Sequence, residues 1–175
     1  MQGLITAYEA IRDFLELGGP VLRAIAWVIL AMWILILERL IFYRTAMRKL
    51  MKDAFMRWEA RAERRSWHAH QIRAAMISEV RMAANQGLPL IQTLVAVCPL
   101  LGLLGTVTGM ITVFQVMASS GTGNVRSMAA GVSMATVPTM AGMVGALSGV
   151  FLVTILTRTA RRRVSLLEDD LTMDH

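Results

Sequence analysis

The amino-acid sequence predicts an all-α integral membrane protein with three transmembrane helices, an N-terminal amphipathic helix and a helical cytoplasmic loop. Hydrophobic residues make up 55% of the 175-residue chain and the mean hydropathy is +0.54, both high for a soluble domain. The apolar residues form three runs, each reaching the roughly 20 residues that cross a bilayer core. The charged residues, with a net charge of +6, concentrate between and after these runs. The basic charge therefore indicates orientation in a bilayer and attraction to membrane lipids, with no nucleic-acid partner.

Residues 1–19 predict an interfacial amphipathic helix. Apolar residues between Leu4 and Leu17 recur at helical spacing with charged residues opposite, and Gly18, Gly19 and Pro20 end the stretch. A helix packed on soluble protein is the alternative. Because no basic region precedes the apolar residues, we expect no cleaved signal peptide.

The first transmembrane helix is predicted over residues 20–43, with Glu38 and Arg39 paired at the headgroup boundary; a buried pair is the alternative. Residues 44–87 hold most of the basic side chains and predict a cytoplasmic helical region of two amphipathic helices, broken near Ser66. His68 and His70 have no third ligand at a metal-site spacing, so we predict no metal and no cofactor. Two stripes of apolar residues define the two helices: Met47, Leu50, Met51, Ala54, Phe55 and Trp58, then Ile72, Met76 and Val80.

A long second transmembrane helix is predicted over residues 88–118 and a third over residues 128–157. A polar loop, residues 119–127, joins them. Arg158 and the arginines at 161–163 end the third apolar run and begin a tail, residues 158–175, which is polar from Ser165 onwards. Lys and Arg are abundant in residues 44–87 and in the tail, and nearly absent from the 119–127 loop. The positive-inside rule therefore places the N-terminus and this loop in the periplasm, and residues 44–87 and the C-terminus in the cytoplasm.

Small residues form a continuous stripe on the second and third predicted spans. In a membrane such residues let another helix approach closely, so that van der Waals packing holds the pair together. Both stripes follow the three- and four-residue spacing of one helix face. They comprise Gly102, Gly105, Thr106 and Gly109, then Ala135, Pro138, Gly142, Gly145 and Gly149.

Hydroxyl groups accompany these stripes, since Thr106 lies in the first and Ser133, Thr136 and Thr139 lie beside the second. Each Thr can bond its own helix backbone, or the hydroxyls together can line a narrow polar path. Pro138 also frees one backbone carbonyl for a partner. No Asp, Glu, His or Lys occurs between Leu88 and Thr157, so a proton path would need a carboxylate from another chain. No nucleophile and base are grouped, and we expect no enzymatic activity.

The run Cys98 to Phe114, CPLLGLLGTVTGMITVF, resembles the second membrane span of the MotA/TolQ/ExbB proton-channel family. Pro99, Gly102, Gly105, Thr106 and Gly109 are among the matching positions, and Cys98 replaces the family's usual Ala. The third span from Gly131 to Gly142, the three-span topology and the pair that closes the first span are also similar to the family. The likeness is strongest between Cys98 and Gly149.

The resemblance implies a small ExbB-like subunit of the bacterial inner membrane, assembled as a homo-oligomeric, pentameric ring. It implies an ExbD-like single-span partner that supplies an intramembrane Asp, and a TonB-like protein that receives the energy. Thr106 and Thr139 would lie at the partner interface, and the small stripes would let ring subunits pack closely. Met134 replaces a Glu found in many ExbB and TolQ chains, so the partner must carry more of the proton handling, and the carbonyl freed by Pro138 substitutes.

Three readings compete with an ExbB-like transport subunit. A TolQ-like envelope-integrity subunit shares the topology and the motifs. A flagellar MotA-like subunit has four spans and a larger cytoplasmic domain, so the length of 175 residues argues against it. A structural membrane scaffold would have no ion path. The sequence leaves the choice between protons and sodium open, because hydroxyl and carbonyl oxygens suit either ion.

Overall fold

In the computed structural model of the protein, the described residues are 12, 18–61, 63, 66–120 and 125–171. These residues form helices and no strand: α1 Gly19–Arg44, α2 Ala46–Glu59, α3 Trp67–Asn85, α4 Leu88–Ser120 and α5 Val125–Asp170. The predicted N-terminal amphipathic helix lies outside the described residues apart from Arg12. Within the described part, three stretches are long and apolar enough to cross a membrane, by length and composition: Gly19–Glu59, Trp67–Ser119 and Met128–Asp170.

The chain divides into two compact units, the first of residues 1–33 and 93–150 and the second of residues 34–92 and 151–175. The first unit contains the beginning of α1, most of α4 and the first part of α5. Buried apolar residues of this unit come from all three helices and include Leu22, Ile25, Met32, Cys98, Val113, Ala135 and Pro138. The core of this unit is therefore a contact of three helices.

The second unit contains α2 and α3, which pack against each other. The sequence predicts a break near Ser66, and α3 begins directly after it, with Ser66 Oγ accepting a hydrogen bond from the Ala69 amide at 3.3 Å. This is the expected role of a Ser at a helix N-cap. All nine residues of the two predicted apolar stripes are buried or half-buried, and Trp58 is only 1% exposed. The two stripes therefore lie on the inward faces of α2 and α3.

The last part of α5 lies in the predicted tail, because the helix continues through Arg158 and residues 161–163 to Asp170. Arginine is a good helix former, so it can end an apolar run without ending the helix. The buried stripe of α5 continues at helical spacing through Val153, Leu156, Ala160, Val164, Leu167 and Leu171.

Arg73 of α3 holds the end of α5 within the second unit. Its Nε donates to the Leu171 carbonyl at 2.7 Å, and its Nη2 donates to the Glu168 carbonyl at 2.6 Å. The last carbonyls of a helix lack intrahelical donors, and a guanidinium there also complements the helix dipole. Arg73 therefore caps α5, a role that no local sequence motif indicated.

The turn between α3 and α4 is held by two side chains of α1 in the same unit. Tyr43 Oη donates to the Ala84 carbonyl at 2.7 Å, and Arg39 Nη1 lies 3.5 Å from the Ala83 carbonyl. Gly87, at φ +78, lets the chain turn directly against the Arg39 guanidinium. The predicted pair with Glu38 is present, with Arg39 Nε 3.7 Å from Glu38 Oε2, and Arg39 is only 8% exposed, as the alternative of a buried pair implies.

Candidate functional site in the membrane-spanning helices

The small residues of α4 lie against α5 in the first unit. A Cβ on Gly102 would lie 3.0 Å from the Thr139 Cα, and one on Gly109 would lie 2.5 Å from the Ala135 Cα. Both contacts are to backbone, which cannot move aside without shifting a helix. The glycines of α4 are therefore a requirement of the close approach of α5.

The small residues of α5 extend this contact to both neighbouring helices. A Cβ on Gly142 would lie 2.6 Å from the Cys98 carbonyl oxygen of α4, whereas one on Gly145 would meet the Ile29 Cδ1 of α1 at 2.5 Å. Gly149 lies against Val95 of α4 and against Met32 of α1 in the same way. The stripes thus lie at contacts between helices of the same chain.

Most of the threonine hydroxyls in the two helices bond their own helix. Thr106 Oγ1 donates to the Leu103 carbonyl at 2.6 Å, and Thr108 Oγ1 donates to the Leu104 carbonyl at 3.0 Å. Thr136 Oγ1 donates within α5 at 3.2 Å and 3.3 Å to the carbonyls of positions 133 and 132. For these residues the structure shows local backbone bonding, which was one of the two readings open from the sequence.

Thr139 differs, because its hydroxyl bonds another helix. Thr139 Oγ1 donates to the Gly102 carbonyl of α4 at 3.0 Å. A carbonyl can only accept, so the hydroxyl must supply the proton, and its oxygen lone pairs remain available. Thr139 is half-buried rather than enclosed. It can therefore accept a hydrogen bond from a further group that approaches this contact.

Pro138 is fully buried beside Thr139, and its ring fills the space next to Gly105, where an added Cβ would lie 2.5 Å from the Pro138 Cβ. The ring removes the amide that would bond the Met134 carbonyl. Met134 is half-buried, and its Cε would lie 3.8 Å from a Cβ built on Gly19. Thr139, Pro138 and Gly102 thus form one site where α4 and α5 cross.

The other predicted polar residues do not lie between α4 and α5. Ser133 and Thr136 are exposed on α5, where Met140 is also 63% exposed, and Thr106 is half-buried on α4. The predicted polar residues therefore divide into a site between helices at Thr139 and an outer face with Ser133 and Thr136. Among the residues that the structure describes, no cluster of three or more His, Cys, Asp or Glu side chains could hold a metal ion.

These features define a multi-pass helical membrane protein in which one hydroxyl, that of Thr139, bonds across the contact of two spans. Residues 42–169 match the model of the MotA/TolQ/ExbB proton channel family, and the chain belongs to that family. The match includes α2 and α3 as well as the two glycine-rich helices, so it extends well beyond the motif that carried the resemblance. A search of curated proteins gave no match. A search of solved structures gave none either.

Proposed function

We propose that the chain is an ExbB-like, non-enzymatic subunit of a proton-motive-force-driven motor. It works with an ExbD-like partner and a TonB-like protein to energise transport across the outer membrane. We propose a pentameric ring in the bacterial inner membrane, with the N-terminus periplasmic and the C-terminus cytoplasmic. Membership of the proton-channel family supports the motor class. The observation that carries the proposal is the hydrogen bond from Thr139 to the Gly102 carbonyl, at the crossing of two spans.

The chemistry of Thr139 suits an acid supplied by a partner. A threonine hydroxyl does not titrate near neutrality, and residues 88–157 contain no Asp, Glu, His or Lys. When the partner carboxyl is protonated, its O–H can donate to the free lone pairs of Thr139 Oγ1. When it is ionised it needs donors, and the proton of Thr139 is already bound to Gly102. The site therefore favours the protonated form of the partner carboxyl, and this carboxyl can release its proton when it moves away from Thr139.

The test compares Thr139→Val with Thr108→Val, which removes the same hydroxyl group from an exposed position bonded to its own helix. We expect Thr139→Val to abolish most receptor-dependent uptake in cells that lack their own subunit. Thr108→Val should leave uptake unchanged. Thr139→Ser keeps the hydroxyl and should restore a large part of the uptake. Size-exclusion chromatography must show that all variants still assemble, since one lost interhelical bond costs only about 1 kcal/mol.

Each alternative has its own outcome in the same experiments. Wild-type uptake in the Thr139→Val variant would remove Thr139 from the mechanism. If proton uptake by reconstituted vesicles does not depend on the partner Asp, the chain would be a structural scaffold. Rescue of outer-membrane integrity without rescue of receptor-dependent uptake would indicate a TolQ-like subunit.

A further inference from the structure

The second unit encloses a cavity of about 540 Å³ between α3, the beginning of α4 and the last part of α5. Its lining is mixed: Leu88, Ala160 and Val164 supply apolar surface, and several other residues supply polar groups. A cavity of this size holds a small molecule or the headgroup of a larger one. The polar lining residues are Arg81, Asn85, Gln92, Thr157, Arg161 and Ser165, together with Glu168.

The cavity is lined by two positive charges, Arg81 and Arg161, and one negative charge, Glu168. Arg81 Nη2 is paired with Glu168 Oε1 at 2.5 Å, so these two charges offset each other. Arg161 also lines the cavity, and no hydrogen bond or ion pair joins its guanidinium to any described residue. A guanidinium is always charged and presents several donors that match phosphate or carboxylate oxygens. Arg161 is exposed, and with no partner among the described residues its guanidinium can bind an anionic ligand in the cavity.

A polar occupant is further favoured by Thr157, which lines the same cavity. Its Oγ1 is buried and has no hydrogen-bond partner among the described residues. A buried hydroxyl without a partner is unfavourable, so a ligand that brings polar atoms within reach of it would be stabilised.

The position of the cavity in the sequence indicates an amphiphilic ligand. Leu88 and Gln92 belong to the first two turns of the uncharged run of α4, and Thr157 and Arg161 follow directly after the apolar run of α5. In a membrane protein the ends of such runs meet the headgroup layer. We propose that this cavity binds the phosphodiester headgroup of an anionic glycerophospholipid, with Arg161 as its main charge partner. This site is separate from Thr139 and does not depend on the proposed function.

The test measures binding of short-chain phosphatidylglycerol to the purified full-length complex by native mass spectrometry. Arg161→Gln is compared with Arg162→Gln, which removes the same charge from an exposed neighbour that does not line the cavity. Each basic residue near an anionic lipid contributes about 1 kcal/mol, so we expect Arg161→Gln to weaken binding roughly fivefold. Arg162→Gln should change it less than about twofold. Equal weakening in both variants would mean diffuse surface attraction and would overturn the proposal.

A second variant keeps every charge but fills the cavity. Ser165 is exposed at its surface, so Ser165→Phe should fold normally and still exclude the headgroup. Unchanged phosphatidylglycerol binding in this variant would contradict the proposed location. Two further ligands, short-chain phosphatidylcholine and inorganic phosphate, test whether the cavity selects an anionic lipid headgroup or any phosphate group. Binding of phosphatidylcholine as tight as that of phosphatidylglycerol, or inorganic phosphate that competes at equal concentration, would overturn the lipid assignment.

Discussion

Gly142→Ala should destabilise the protein although alanine is the better helix former. The new Cβ would lie 2.6 Å from the Cys98 carbonyl oxygen and 3.3 Å from the Gly102 Cα. Carbon and oxygen atoms in contact are normally about 3.3–3.6 Å apart, so α4 and α5 must separate by roughly 0.7 Å. A gap of that size loses a quarter to a half of each dispersion contact along the interface. We expect a net loss of about 1–2 kcal/mol, because overpacking of about 1–3 kcal/mol exceeds the helix-propensity gain of up to about 1 kcal/mol.

Gly145→Ala is the matched control on the same helix, since its new Cβ would meet side-chain atoms of Ile29, Cδ1 at 2.5 Å and Cγ1 at 2.8 Å, rather than backbone. Rotation of that side chain can relieve the contact, so we expect a change within about 1 kcal/mol of zero. SDS titration in mixed micelles, followed by tryptophan fluorescence, measures both free energies of unfolding. If Gly142→Ala proves as stable as Gly145→Ala, the inference that backbone contact at Gly142 fixes the separation of the helices is wrong.

Three further substitutions test the second unit. Tyr43→Phe removes the bond to the Ala84 carbonyl and should lower the free energy of unfolding by about 1 kcal/mol in the same titration. Gly87→Ala places a Cβ at φ +78 and 3.0 Å from Arg39 Nε, and we expect a loss of about 1–2 kcal/mol, with no loss contradicting the turn geometry. Arg73→Gln removes the two hydrogen bonds to the last carbonyls of α5, so amide hydrogen exchange should become faster in the last two turns of α5 and stay unchanged in α4. The same exchange rate in the last two turns of α5 for the variant and the wild type would refute the cap.

The all-helical architecture followed from the sequence because its signals are periodic and strong. Three apolar runs of membrane-spanning length predict three long apolar helices, and the three- and four-residue spacing of the glycines predicts close helix contacts. Spacing identifies the contact face of a helix but not the partner on the other side. Gly145 and Gly142 share one stripe, yet the first meets α1 and the second meets α4.

The polar bonds could not be predicted in the same way. Thr106 and Thr139 carry the same local signal, a threonine beside small residues, but only three-dimensional packing decides whether the hydroxyl reaches its own backbone or another helix. Arg39 is buried through contacts with residues more than forty positions away, which no local pattern records. Apolar residues at helical spacing from Leu156 to Leu171 indicate the continuation of α5, but the arginines that end the apolar run make this pattern hard to recognise.

The hydrogen bond of Thr139 depends on the glycine stripe of α4. Thr139 reaches the Gly102 carbonyl only because Gly102 has no side chain, since a Cβ there would lie 3.0 Å from the Thr139 Cα. A substitution at Gly102 would therefore remove the hydrogen bond and widen the helix contact together, and a loss of transport could be assigned to neither. Thr139→Val keeps the shape and removes only the polar atom. The proposed role of Thr139 is for this reason tested at the hydroxyl, whereas the dependence of the site on close packing is tested at Gly142.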